Sequence, residues 1–130
     1  MKRAGIMHAE LAGRMAALGH TDTIAVTDVG LPVPAGVPMV DLAVVPGVPT
    51  FAQVLDALLD ELVVQEHTYA DEVAGREPGE VLTERANRMG EARTVSHEQF
   101  KQLVGGCVFV VRTGANTPYA NVILHCGVPF

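Results

Sequence analysis

Tryptophan is absent from this 130-residue chain, aromatic residues make up only 5% of it, and cysteine occurs twice, at Cys107 and Cys126. So few rings mean that the core must be built from aliphatic side chains, which the 48% hydrophobic content provides. The two cysteines stand 19 positions apart and outside any C-x-x-C pair, which argues against a disulfide scaffold, a zinc ribbon or a thioredoxin-like site. Both read as small core residues with free thiols.

Charge is scarce as well. Charged residues make up 18% of the chain, against roughly 25% in an average soluble protein. Less of the surface than usual is therefore suited to water, which favours an oligomer with sizeable subunit contacts. A basic excess is also missing: 15 acidic residues against 9 Lys and Arg leave a formal charge of −6, which argues against nucleic acid and anionic membranes as partners. No apolar run approaches the roughly 18 residues of a membrane span, and His8, Glu10, Arg14 and His20 interrupt the apolar core a secretion signal needs after Lys2 and Arg3. A cytoplasmic location is expected.

The motifs that announce cofactors are missing too. Neither G-x-G-x-x-G nor a P-loop occurs, no serine sits in a G-x-S-x-G elbow, and only His67 and Asp71 share an i, i+4 ligand-like spacing among the histidines. No cofactor and no metal are expected.

What is present is an alternation of helices and strands. Leu11, Met15 and Leu18 predict a first helix over 8–19, closed by Gly19 in a left-handed conformation. TIAVT (23–27) reads as a strand delivering Asp28 at its C-terminal end, followed by a loop that Pro32, Pro34 and Pro38 impose. A second strand is expected over 39–45. Thr50 caps a helix whose stripe is Phe51, Val54, Leu55, Leu58, Leu59 and Leu62, with Gln53, Asp56 and Asp60 opposite. Residues 63–75 read as a strand running into a short helix, and 79–90 as a helix ended by Gly90. Ser96 and Gln99 have capping-box spacing, so His97 takes the first position of a helix over 96–104. CVFVV (107–111) and NVILHC (121–126) show the weak alternation of strands covered on both faces. The expected fold is α/β: one three-layer domain over residues 1–130, with a central, mostly parallel sheet and helices on both faces.

Acid/base and hydrogen-bonding residues survive this sorting. His20 follows a helix C-terminus, whose carbonyls favour imidazolium, whereas His97 at a helix start faces the opposite field and favours the neutral ring. Each also has an ordinary structural explanation, as a carbonyl cap or a solvated first-turn residue. Asp28, at a strand's C-terminal end before a Pro-constrained loop, is suited to hold sugar hydroxyls or else to cap the loop's own amides. Asp22 fits a turn-stabilising role, and Arg112 a salt bridge or interface. In RTGANTPYAN (112–121), Tyr119 and Asn121 flank Ala120, and in extended chain two such residues face the same way, toward one pocket.

Four segments together resemble the D-ribose pyranases, sugar mutarotases related to the L-fucose mutarotases. They are LGHTDTIAVTDVGLPVP (18–34), GVPTFAQVL (47–55), SHEQFK (96–101) and RTGANTPYANVILHCGVPF (112–130). The resemblance covers most of the chain except about residues 63–93. It implies that His20 is the proton donor, that Asp28 and His97 bind substrate, and that the P-Y-A-N element contributes Tyr119, Ala120 and Asn121. It further implies a cofactor-free cytoplasmic enzyme acting on D-ribose. The assembly it implies is a homo-oligomeric decamer of two stacked pentameric rings, with sites shared between neighbouring subunits. Two positions depart from the pattern: His8 stands where an Asn is usual, and Ala115 where a Glu is usual. The implied reaction interconverts β-pyranose and β-furanose by hemiacetal opening, with His20 donating to the ring oxygen and a carboxylate, histidine or water relay accepting the anomeric proton. The rivals are a mutarotase for L-fucose or another monosaccharide, a non-catalytic sugar-binding partner of a transport system, and a purely structural ring.

Overall fold

The computed structural model describes residues 1–130. One mixed sheet of six strands runs through it: β1 (Thr23–Thr27), β2 (Met39–Asp41), β3 (Val64–Ala70), β4 (Glu91–Val95), β5 (Phe109–Arg112) and β6 (Val122–Cys126), in the spatial order β2-β5-β1-β6-β3-β4. β1 pairs parallel with β5, β5 with β2, and β3 with β4. β6 alone runs antiparallel, to both β1 and β3. The sheet is therefore mostly parallel, and the start of β6 lies at the same edge as the C-terminal ends of the other five strands.

Helices cover both faces. On one, α1 (Ala9–Ala16), α2 (Phe51–Leu59) and α3 (Glu77–Arg85) press Leu11, Met15, Leu55, Leu58 and Leu82 onto Ile24, Val26, Phe109, Val111, Val122 and Leu124. On the other, α4 (His97–Val104) lays Phe100 and Val104, with Leu31 of the proline-rich loop, over Ala25, Val110 and Ile123. Neighbouring strand residues alternate between these two cores, as the period of two requires. Each large aliphatic side chain so buried contributes about 1.5–3 kcal/mol. Both cysteines are buried free thiols; burial pushes the Cys107 thiol up to about 11.

The helix starts follow their local chemistry. Thr50 with Gln53, and Ser96 with Gln99, form complete capping boxes. The first helix is shorter than its periodicity suggests and ends at Ala16. The left-handed residue beyond it is Thr21, at φ 70°, not Gly19. His8 caps this helix, its Nδ1 accepting from Leu11 N–H at 3.2 Å, which is the work an Asn does well at the same position. β2 stops at Asp41, not residue 45, and the chain beyond it turns through a Val45–Val48 bridge. The third helix ends at Arg85 and gives way to a 3₁₀ turn at Ala86–Arg88. Strand β4, unforeseen from the sequence, is an edge strand exposed along most of its length, so it carries no burial pattern to announce it.

Candidate functional site

The shared strand edge gathers most of the polar residues that the sequence singles out. Asp28 leaves the end of β1, Thr113 to Ala115 follow β5, Tyr119 to Asn121 precede β6, and His97 opens α4 just after β4. They surround an open cleft of about 460 Å³ lined by Asp28, Leu31, His97, Lys101, Ala115 and Tyr119 among others. That volume falls within the roughly 300–1,000 Å³ of small-molecule sites, and its location at strand C-termini is where open α/β sheets bind ligands. A second cavity, of about 540 Å³ between β3 and α3, is larger but contains none of the sequence-expected site residues.

Asp28 is locked in place. Its Oδ1 accepts from the N–H groups of Gly30 and Leu31, both at 2.9 Å, and its Oδ2 accepts from Asn121 Nδ2 at 3.0 Å. Oδ1 thus has both lone pairs engaged by the loop, while Oδ2 keeps one acceptor position. Asp28 N–H in turn donates to Asn121 Oδ1 at 2.9 Å. The amide of Asn121, 1% exposed, is consequently turned toward Asp28 and does not share a wall with the Tyr119 phenol. The expected alternation fails because the chain is not extended there. Tyr119 has φ 67°, and Asn121 N–H closes a tight turn onto Tyr119 O at 2.8 Å. Ala120, 1% exposed, packs into the core beneath that turn.

His97 and Tyr119 meet edge to face, with ring centroids 5.0 Å apart. His97 Nδ1 is buried without a hydrogen-bond partner in the chain, an arrangement that costs about 1–3 kcal/mol. Lys101 lies one turn along α4 on the same face and pairs with Glu98 at 2.6 Å. This cation was not foreseen from the sequence, although its i, i+4 spacing from His97 places the two on one helix face. Ala115 places a methyl group in the cleft wall. Arg112 pairs with Asp41, joining the ends of β5 and β2.

His20 is elsewhere. It precedes β1, at the opposite edge of the sheet from the cleft, and β1 alone spans about 13 Å at 3.3 Å per residue. The ring is exposed and bonds through Nε2 to Gln65 Oε1 at 3.0 Å. Its turn is held by Asp22, whose Oδ2 accepts from Gly19 N–H at 2.8 Å, and by Thr21 N–H on Cys126 O at 3.0 Å. With α1 ending at Ala16, His20 lies four residues beyond the helix and does not cap its carbonyls. One chain therefore assembles Asp28, His97, Tyr119 and Asn121, and leaves His20 apart.

Residues 1–129 match the model of the RbsD / FucU transport protein family. The chain belongs to that family. It is 51% identical over 130 residues to a D-ribose pyranase of Cutibacterium acnes and 51% identical to D-ribose pyranase 1 of Rubrobacter xylanophilus, with each chain covered completely in both cases. Among solved structures, Bacillus subtilis RbsD complexed with D-ribose superposes with a TM-score of 0.94 at 42% identity, over the whole of both chains. A fucose mutarotase from Streptococcus pneumoniae in complex with L-fucose shares the RbsD / FucU fold, with a TM-score of 0.81 at 19% identity over both full chains.

Proposed function

We propose that this protein is a cofactor-free D-ribose pyranase, an intramolecular isomerase that opens and recloses the hemiacetal of the sugar. The observation that carries this is the meeting of Asp28, His97 and Tyr119, from three separate segments, around one cleft. Full-length identity of 51% to two D-ribose pyranases supports the choice of sugar. The likeness to fucose mutarotase, at 19% identity, bears on the fold alone.

In the proposed reaction the anomeric hydroxyl of β-ribopyranose gives its proton to a carboxylate, histidine or water relay while the ring oxygen gains one. The C1–ring oxygen bond breaks to a free aldehyde; the C4 hydroxyl then adds to C1, giving up its proton as the aldehyde oxygen takes one to become the anomeric hydroxyl of the furanose. No electrons are exchanged with a second molecule. His20 supplies the proton to the ring oxygen; Asp28 Oδ2, His97 and the Tyr119 phenol hold hydroxyls, and Ala120, sealed in the core, supports the turn that carries Tyr119 instead of touching the sugar. Asn121 orients Asp28. General acid catalysis of this kind contributes about 10²- to 10⁴-fold.

Because His20 stands at the opposite sheet edge, it acts on sugar held in a neighbouring subunit's cleft. The proposed assembly is a homo-oligomer, a decamer of two stacked pentamers, in the cytoplasm. Support for association alone comes from the exposed apolar residues Val44, Val45 and Val48, which are 75%, 54% and 51% exposed, the first two adjoining Val29 and Asn116 of the cleft lining. Saturation-transfer NMR on ribose tests the reading. The wild type is expected to accelerate pyranose–furanose exchange, and His20→Ala to lose that acceleration while still binding ribose. An unchanged rate in His20→Ala removes His20 from the mechanism, and ribose binding by the wild type without faster exchange removes the enzyme reading.

A further inference from the structure

The stretch between β3 and α3 belongs to the part of the chain that carries no recognisable motif, yet it touches two cleft residues at once. Glu72, in the 3₁₀ turn Asp71–Val73, accepts the backbone N–H of His97 on both carboxylate oxygens, at 2.9 and 3.2 Å. That N–H is one of the orphan donors of the first turn of α4, and a carboxylate there also meets the favourable end of the helix dipole. Four residues on, the Arg76 guanidinium lies over the Tyr119 ring, 5.2 Å from its centroid, and Arg76 Nε donates to Glu72 O at 3.0 Å. His97 and Tyr119 also touch each other, so the four residues close a loop of contacts: Glu72 to His97, His97 to Tyr119, Tyr119 to Arg76, Arg76 back to Glu72.

Tyr119 needs such support. Its φ of 67° is a conformation non-glycine residues rarely adopt, and its ring stands on a turn at the cleft mouth. A cation over the ring face fixes the ring by attraction to its quadrupole without entering the cleft. Arg76 is itself exposed and outside the cleft lining, so its contribution to core packing is small.

We propose that Glu72 and Arg76 are positioning residues, a clamp that presets His97 and Tyr119 for the sugar. The inference rests on the assignment of those two side chains to ribose binding. The clamp acts on affinity: without it the phenol and imidazole are ordered only when sugar arrives, and binding weakens while the proton-transfer step does not.

The test compares Arg76→Met, which matches length without charge or N–H, with Arg76→Lys, which keeps a cation but loses the bond to Glu72 O. Gln99→Ala serves as the structural control, because it removes half of the α4 capping box without touching His97 or Tyr119. Arg76→Met is expected to raise both KM and the calorimetric Kd for D-ribose about 3- to 10-fold, with kcat within about twofold and the melting temperature unchanged. Arg76→Lys is expected to recover part of the affinity. Gln99→Ala is expected to lower the melting temperature and leave KM alone. Wild-type Kd and KM in Arg76→Met overturn the clamp, as does a loss of affinity that follows melting temperature equally in Arg76→Met and Gln99→Ala. Should the wild type bind ribose without accelerating exchange, the enzyme reading falls and the clamp is judged on Kd alone; should the wild type bind no ribose, both fall.

Discussion

Asp28 and Asn121 are bonded to each other twice, backbone N–H to amide oxygen at 2.9 Å and amide nitrogen to carboxylate at 3.0 Å, across 93 positions of sequence. The pair ties the end of β1 to the approach to β6 and leaves one face of the carboxylate for a ligand. Asn121→Ala leaves a buried N–H and a carboxylate oxygen without their partner, and is expected to cost about 1–3 kcal/mol in urea unfolding. Ribose affinity should fall with it. Unaltered affinity in a folded Asn121→Ala protein would mean that Asp28 needs no such orientation.

The separation of His20 from the cleft makes a prediction about mixtures. Chains carrying His20→Ala and chains carrying Asp28→Asn are each expected to be inactive alone. Co-expressed at equal levels, they form interfaces where a wild-type His20 faces a wild-type Asp28, and activity returns to about a quarter of the wild type if each cleft draws on one neighbour. A site completed within one chain gives no recovery at all.

Stability should depend on pH through two histidines. Burial holds the His67 imidazole below its ordinary value of 6.5, against the hydrogen bond to Met89 O, which raises it. His125 is lowered in the same way by burial, with Glu66 opposing. The unfolded chain therefore binds more protons than the native one just below pH 6.5, so the stability these rings allow is complete above that value and declines as pH falls toward their folded pKa. Urea midpoints should drop between about pH 7.5 and about pH 5.5, a window above the range where the lowered carboxylates of Asp41 and Asp56 titrate. A folded His67→Gln variant should show a shallower decline; an identical slope would assign the effect elsewhere.

A bidentate ion pair joins α2 to α3. Arg85 Nε meets Asp56 Oδ1 at 2.6 Å and its second nitrogen meets Oδ2 at 2.8 Å, with the arginine side chain 15% exposed and the aspartate 43%. Solvent screens half of this pair, so Asp56→Asn is expected to cost only about 0.5–1 kcal/mol, read as a small drop in melting temperature that shrinks in high salt. A loss of several kcal/mol would mean that the pair is shielded in an assembly.

Much of this arrangement was legible locally. Ser96 with Gln99 and Thr50 with Gln53 announce two helix starts, because a capping box is satisfied within four residues whatever surrounds it. Asp28 after TIAVT was readable as a strand-end carboxylate for the same reason. Strand β4 was not legible, since an exposed edge strand needs no apolar alternation and owes its existence to β3 beside it. Nor were Glu72 and Arg76, whose partners lie 25 and 43 positions away.

The sequence by itself determined the kinds of residue available for chemistry and the order of helices and strands, because caps, turns and periodicities act over a few residues. Only the tertiary structure decided which of them meet. The reversed direction of β6 brings Tyr119 and Asn121 to the end of β1 where Asp28 waits, while His20, eight residues from Asp28 in the chain, is carried to the other edge by the length of that same strand. An extended strand is rigid, and proximity in sequence becomes distance in space along it.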